Sequence, residues 1–207
     1  AHNELQGCIM DSTIIAGILG VAGALLGTLL GYKLNNSNAK LKAYIDNRLV
    51  IYYLRNTFCA YIPVTVINEG SKSGTISDFK VKLHSNNQNW ELLWVCYSED
   101  HTLKGKSWED TRRASPLLVH GNSGLQCPLK FSEILHDSSQ TLSNVLIAAG
   151  KSSLSFEYYD RDSKRIETQT YSFELPTSFC ELLHKRRKDS ECLETMIISL
   201  KRDAESA

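Results

Sequence analysis

Gly150-Lys151-Ser152 ends like a phosphate-binding loop, in which a glycine-rich turn cradles phosphates with backbone N–H groups and the lysine reaches the outer ones. That loop needs a glycine five residues before the Gly-Lys pair, and Val145 stands there. Gly121-Asn122-Ser123-Gly124 is one spacing residue short of the turn that exposes a nucleophilic serine in hydrolases. His84, His101, His120, His136 and His184 include no pair at the helical spacing that puts two imidazoles on one metal. The six cysteines, Cys8, Cys59, Cys96, Cys127, Cys180 and Cys192, form neither a CxxC pair nor a close Cys/His cluster. The sequence therefore assigns no catalytic residue, no metal ligand and no cofactor, and the expectation is a chain that is not an enzyme. A membrane-tethered hydrolase would require polar groups clustered in a pocket by the fold.

The residues suited to recognition are different ones. Residues 98–115 read as a polar loop, longer than a compact domain uses for a plain connection, which points to a functional loop. The loop carries Trp108, Arg112 and Arg113, residue types that dominate binding hot spots. These three are the expected partner-binding residues.

What positions them starts with an uncharged run at residues 12–32, rich in Ile, Leu, Val, Ala and Gly. As a helix it is about 32 Å long, enough to cross a hydrocarbon core of about 30 Å. Its nine large aliphatics favour insertion by about 3–5 kcal/mol. On a helical wheel the small residues, Gly20, Gly23, Ala24, Gly27 and Gly31 among them, fall within an arc of roughly 140°. Glycine weakens a helix, so its concentration on one side points to close packing against another helix, a second copy included. A cleaved signal peptide would have a positive start, and no Lys or Arg precedes Lys33. The expectation is a single-pass membrane anchor. A translation start at Met10 would place it at the extreme N-terminus. Lys33, Lys40, Lys42 and Arg48 follow the span, against Glu4 and Asp11 before it, so the positive-inside rule puts the C-terminal domain in the cytoplasm.

All 23 Lys and Arg lie after the span, with 21 of the 23 Asp and Glu, leaving a surplus of two positive charges. That balance argues against a nucleic-acid platform, which is strongly basic. In a cytosolic domain the scattered cysteines read as small buried hydrophobes; on the other side of the membrane Cys59, Cys96 and Cys127 become candidates for disulfides.

From residue 41 to 175 apolar residues alternate with period two. Strands are expected at residues 41–45, 49–54, 62–68, 79–83, 90–97, 125–131, 154–159 and 166–175, with residues 142–149 open between strand and helix. Asn68 to Gly74 and Asp160 to Lys164 read as turns, the second closing a hairpin. Seven or eight short strands at this spacing make an antiparallel β-sandwich. The run Ile62-Pro63-Val64-Thr65-Val66-Ile67-Asn68-Glu69-Gly70, then Gly74-Thr75-Ile76 and the strand at 78–83, resembles the opening of immunoglobulin-like modules in microbial envelope and membrane-associated proteins. Pro116-Leu117-Leu118-Val119, the Gly-Asn-Ser-Gly turn and the last hairpin stand where that fold has its later strands, so the likeness covers about two thirds of the chain. It implies interaction or scaffolding by analogy of fold.

Beyond Pro176 the period changes. Ser178 and Glu181 fit a capping box, and Phe179, Leu182, Leu183, Leu193, Met196, Ile197 and Leu200 recur at helical steps around the basic block Lys185-Arg186-Arg187-Lys188. That block reads as a solvated face, with binding of anionic lipid as the alternative. The expected organisation is a tail (1–11), a transmembrane helix (12–32), a juxtamembrane linker (33–40), an immunoglobulin-like sandwich (41–176) and a C-terminal helical segment (177–207). Its expected role is a membrane-anchored binding or scaffold module; the alternative is an oligomerising sensor or effector whose anchor perturbs the bilayer.

Overall fold

The apolar runs at 79–83, 90–97, 125–131 and 154–159 become strands that reach past them at both ends, because backbone pairing continues into flanking residues once a core face has set the register, while the run at 41–45 keeps its bounds. The computed structural model describes residues 12–54, 57–101, 108–133, 142–189 and 195–203. A helix, α1 (Ser12–Asn35), precedes β1 (Leu41–Ile45), β2 (Arg48–Leu54), β3 (Thr57–Asn68), β4 (Gly74–Ser85) and β5 (Gln88–Asp100). Then come β6 (Trp108–Arg113), β7 (Leu117–Val119), β8 (Ser123–Glu133), β9 (Gly150–Asp160), β10 (Arg165–Leu175), α2 (Thr177–Lys188), β11 (Met196–Ser199) and β12 (Lys201–Arg202). The chain is mainly β with a helix towards each end.

Among the described residues the strands make one sheet in the order β11-β2-β3-β8-β5-β4-β9-β10-β12, with β1 on β3, β6 on β5 and β7 on β4. Every pairing is antiparallel. Strand β5 joins two layers: its first half pairs with β4 (Leu83 opposite Trp90), its second half with β6 (Cys96 opposite Arg113). The first and last strands of the path, β11 and β12, are separated in sequence by Leu200 alone. The segment 196–202 thus bridges the free edges of β2 and β10, and Gln169 of β10 adds a side-chain bond, Nε2 to the Ala43 carbonyl of β1 at 2.7 Å. The result is a sheet nearly closed into a barrel rather than the clearly separated sandwich the strand count suggests.

Two sequence expectations change here. Residues 196–200 are extended and not helical: Met196, Ile198 and Leu200 are buried while Ile197 is 57% exposed, the alternation of a strand. Helix α2 forms as expected, but it starts at Thr177 behind Pro176, which caps without a side-chain bond, so Ser178 is not the capping residue. Residues 142–149 are neither strand nor helix, although Val145 and Ile147 are fully buried.

The interior is lined by alternate residues of every long strand, with Phe58, Phe79, Phe131, Phe156 and Tyr158 among its largest buried side chains. Helix α1 contributes nothing to it. Its large aliphatics from Ile14 to Leu30 are 42–66% exposed, and it is long and apolar enough to cross a bilayer, a test that signal sequences also pass. The turns at 69–73, 120–122 and 161–164 lie at the end of the sheet that receives the linker from α1. The Asn86-Asn87 turn, with both residues at positive φ as two-residue hairpins require, lies at the other end, where α2 packs.

Candidate functional site on the outer sheet face

Strand β2 reads Arg-Leu-Val-Ile-Tyr-Tyr-Leu without alternation, and Phe58 to Ile62 of β3 is equally continuous. A strand with that pattern is covered on both faces. Leu49, Ile51 and Tyr53 face the interior, while Val50, Tyr52, Cys59 and Tyr61 form a second apolar cluster outside, covered by Trp108. The ends of β5 and β6 reach across this outer face as far as β2, where Arg48 Nη2 donates to Asp100 Oδ2 at 2.8 Å.

The rings form a row. Tyr52 and Tyr61 stack at 5.4 Å between centroids, and Tyr61 and Trp108 at 4.9 Å. Such offset pairs add to simple burial. Arg48 lies over the Trp108 ring at 5.6 Å, and Lys130 Nζ over the Tyr61 ring at 5.6 Å. Polar atoms along the row are chained. Tyr52 Oη donates to Tyr61 Oη (3.2 Å), Tyr61 Oη to Asp110 Oδ1 (2.9 Å) and Lys130 Nζ to Asp110 Oδ2 (2.6 Å), with Ser98 Oγ a weak third donor to the same carboxylate (3.4 Å). Lys130 is nearly sealed, its side chain 8% exposed, so its charge depends on Asp110. Tyr52, Leu54, Tyr61, Trp108, Asp110 and Lys130 line a cleft of about 320 Å³ beside the row.

Burial favours neutral forms of both Asp110 and Lys130, yet the hydrogen bonds from Lys130 and Tyr61 hold the Asp110 carboxyl below its usual range, and the bond to Asp110 raises Lys130. Burial pushes the Tyr61 phenol up to about 12 and raises Tyr52 further. It raises the Cys59 thiol as well, and Cys96 to about 11, against which the neighbouring Lys130 acts only partly. The cluster holds a charged ion pair, neutral phenols and neutral thiols, with no group among them poised to exchange protons near pH 7.

The residues picked out by the sequence fall differently. Trp108 is 7% exposed and belongs to the outer cluster, and residues 98–100 and 108–113 are hairpin strands where a loop is expected; residues 102–107 lie outside the described residues. Arg112 and Arg113 are exposed, Arg112 stacked over the Tyr97 ring at 4.2 Å. Gly20, Gly23, Ala24, Gly27 and Gly31 are all exposed on α1, and a Cβ placed on any of these glycines meets nothing within 4 Å. Thr28 Oγ1 donates to the Ala24 carbonyl at 2.8 Å, which satisfies that hydroxyl within the helix. His84 meets Asn89, His120 meets Ser73 and His184 meets the Ile147 carbonyl; these three do not share a site, and His136 lies outside the described residues. Among the described residues no group of three His, Cys, Asp or Glu side chains comes together as a metal site would need. Cys59, Cys96, Cys127 and Cys180 are buried free thiols, while Cys8 and Cys192 lie outside the described residues. Sequence reasoning missed Lys130 and Asp110, whose only early signal was the unbroken apolar runs of β2 and β3.

No protein-family model matches this sequence, and no curated protein matches it significantly. Among solved structures it is similar in part to a FixG-related protein from Vibrio parahaemolyticus, at 14% identity and a TM-score of 0.32 over 64% of this chain and 93% of that one. An ApaA-like protein from Bordetella pertussis gives 6% and 0.32 over 79% and 95%. The sporulation control protein Spo0M from Bacillus subtilis gives 10% and 0.28 over 66% and 48%.

Proposed function

We propose that this chain is a membrane-tethered, non-enzymatic binding or scaffold module, an immunoglobulin-like β domain held at the cytoplasmic face by α1. The observation that carries the reading is the state of α1. Its side chains at residues 14–33 are exposed while the β domain completes its core without it, so the helix needs lipid or another helix to cover it. The open face at Gly20, Gly23, Ala24, Gly27 and Gly31 is where a second helix, a second copy included, lies close. Arg112 and Arg113 supply exposed cationic groups for a protein partner. The shifted groups of the outer cluster support binding over turnover, since they sit away from the range that general acids and bases use.

One experiment tests both parts of the helix reading. In membranes, the full chain is expected to survive alkaline carbonate washing and to cross-link through α1. The Gly23→Leu/Gly27→Leu variant is expected to stay in the membrane, being more hydrophobic, and to lose the cross-link. Release of the full chain by carbonate overturns the tether, and unchanged cross-linking in the variant overturns the packing face.

A further inference from the structure

The linker that follows α1 is fixed to the sheet. Ser71 N donates to Ser37 Oγ and Ser71 Oγ to the Ser37 carbonyl, each at 2.9 Å, and Lys72 N donates to the same carbonyl at 3.1 Å. Lys40 N donates to Asn68 Oδ1 at 3.0 Å. Gly70 has no room for a Cβ, which would overlap the Asn38 carbonyl oxygen, and a Cβ at Gly121 would overlap that of Ser71. From Lys33 in the last turn of α1 to the anchored Ser37 the chain spans at most about 14 Å.

This end of the sheet has uncompensated positive charge. Lys42 pairs with Glu69, and Arg161 with Asp162. The Asp160 carboxylate accepts the backbone N–H groups of Asp162 and Lys164. Lys40, Lys72 and Lys164 are exposed and make no ion pair among the described residues. Between the linker and the β9–β10 turn opens a cleft of about 780 Å³, with Lys40, Thr75 and Arg161 in its walls together with Asp160 and Asp162, while Lys72 and Lys164 lie outside it.

We propose that this end of the domain rests on the leaflet from which α1 emerges, where Lys40, Lys72 and Lys164 bind anionic phospholipid headgroups. The inference rests on the tether reading. The fixed linker keeps these ammonium groups within one or two screening lengths of the headgroups, about 8 Å each at physiological salt. The basic block of α2 cannot share this leaflet: it lies at the far end of eleven- and twelve-residue strands, about 35 Å away.

The test reconstitutes the full chain in phosphatidylcholine nanodiscs, with and without phosphatidylserine, and follows amide hydrogen exchange. Anionic lipid is expected to slow exchange in the turns at 69–73, 120–122 and 161–164 by roughly fivefold or more, the factor one lysine contributes near such a leaflet. Exchange in α2 is expected to stay unchanged. The effect should vanish at high salt and in the Lys40→Glu/Lys72→Glu/Lys164→Glu variant, whose exposed substitutions leave the melting temperature in place. Equal exchange in both discs, with the chain incorporated, overturns the headgroup surface and leaves the tether standing. Failure to incorporate even into neutral discs overturns the tether and this inference with it.

Discussion

Lys130 and Asp110 show how a residue's chemistry is set by what covers it. Removing the carboxylate strands an ammonium that is nearly sealed from water, while the half-exposed side of Asp110 lets solvent take over part of the contact. Asp110→Asn is therefore expected to cost about 1–2 kcal/mol, and Lys130→Met added to it to recover most of that loss, because no charge then remains buried. The pH dependence follows from the same shifts. Asp110, depressed in the fold, stabilises above the unfolded carboxyl value of about 3.9, and that contribution is lost as pH falls through the folded value. Lys130, raised in the fold, contributes fully below about 10.4 and loses its contribution as pH rises through its folded value, with Tyr61 steepening the same alkaline limb. Melting temperature against pH should flatten on its acid limb in Asp110→Asn; an unchanged acid limb removes the pair from the account. Little of this was legible in the sequence. Trp108 sits among charges, and a single tryptophan in a polar stretch does not reveal that the sheet three strands away has an apolar outer face waiting for it. The unbroken runs Leu49 to Leu54 and Phe58 to Ile62 held that information, because a strand wet on one face alternates and these do not.

At the scale of elements, period and length carried most of the fold, and the exceptions share a cause. Strands β1, β9 and β10 were readable because each has a core face set by local alternation, and β2 because its apolar run is unbroken. Strand β6 has one buried residue, and β11 and β12 are short edge pieces defined by the strands they bridge, which no local window contains. Met196, Ile197 and Leu200 also satisfy a helical stripe, so the sequence fits both periods and tertiary pairing with β2 decides. The decision is measurable. Ile198 is 4% exposed and its neighbour Ile197 is 57% exposed. Ile198→Ala is expected to cost about 2–4 kcal/mol and Ile197→Ala about 0.5 kcal/mol or less, read from denaturant midpoints at constant slope. Similar losses at both positions would contradict an edge strand there. A change of slope with Ile198→Ala would report instead that opening the strap loosens the whole sheet.

For the whole molecule, the buried thiols limit how the proposed orientation can be tested. Four cysteines, Cys59, Cys96, Cys127 and Cys180, lie inside a folded domain, and burial raises each thiol, so in the native state they react slowly wherever the domain is. Failure of a native thiol to label therefore says nothing about topology unless the fold is opened. An exposed reporter removes the ambiguity. Lys201 is solvent-exposed on the closing strap, and Lys201→Cys in a background with Cys8 and Cys192 changed to Ser offers one accessible thiol. On the proposed tether reading, the positive charges that follow the apolar helix put this domain in the cytoplasm. A membrane-impermeant maleimide is then expected to leave the reporter unmodified in intact cells and to modify it after permeabilisation. The four buried thiols should join only when denaturant is added. Labelling in intact cells would reverse the orientation and move the headgroup-binding surface to the opposite leaflet. Labelling of the buried thiols without denaturant would instead mean that the sheet opens in the membrane-bound state.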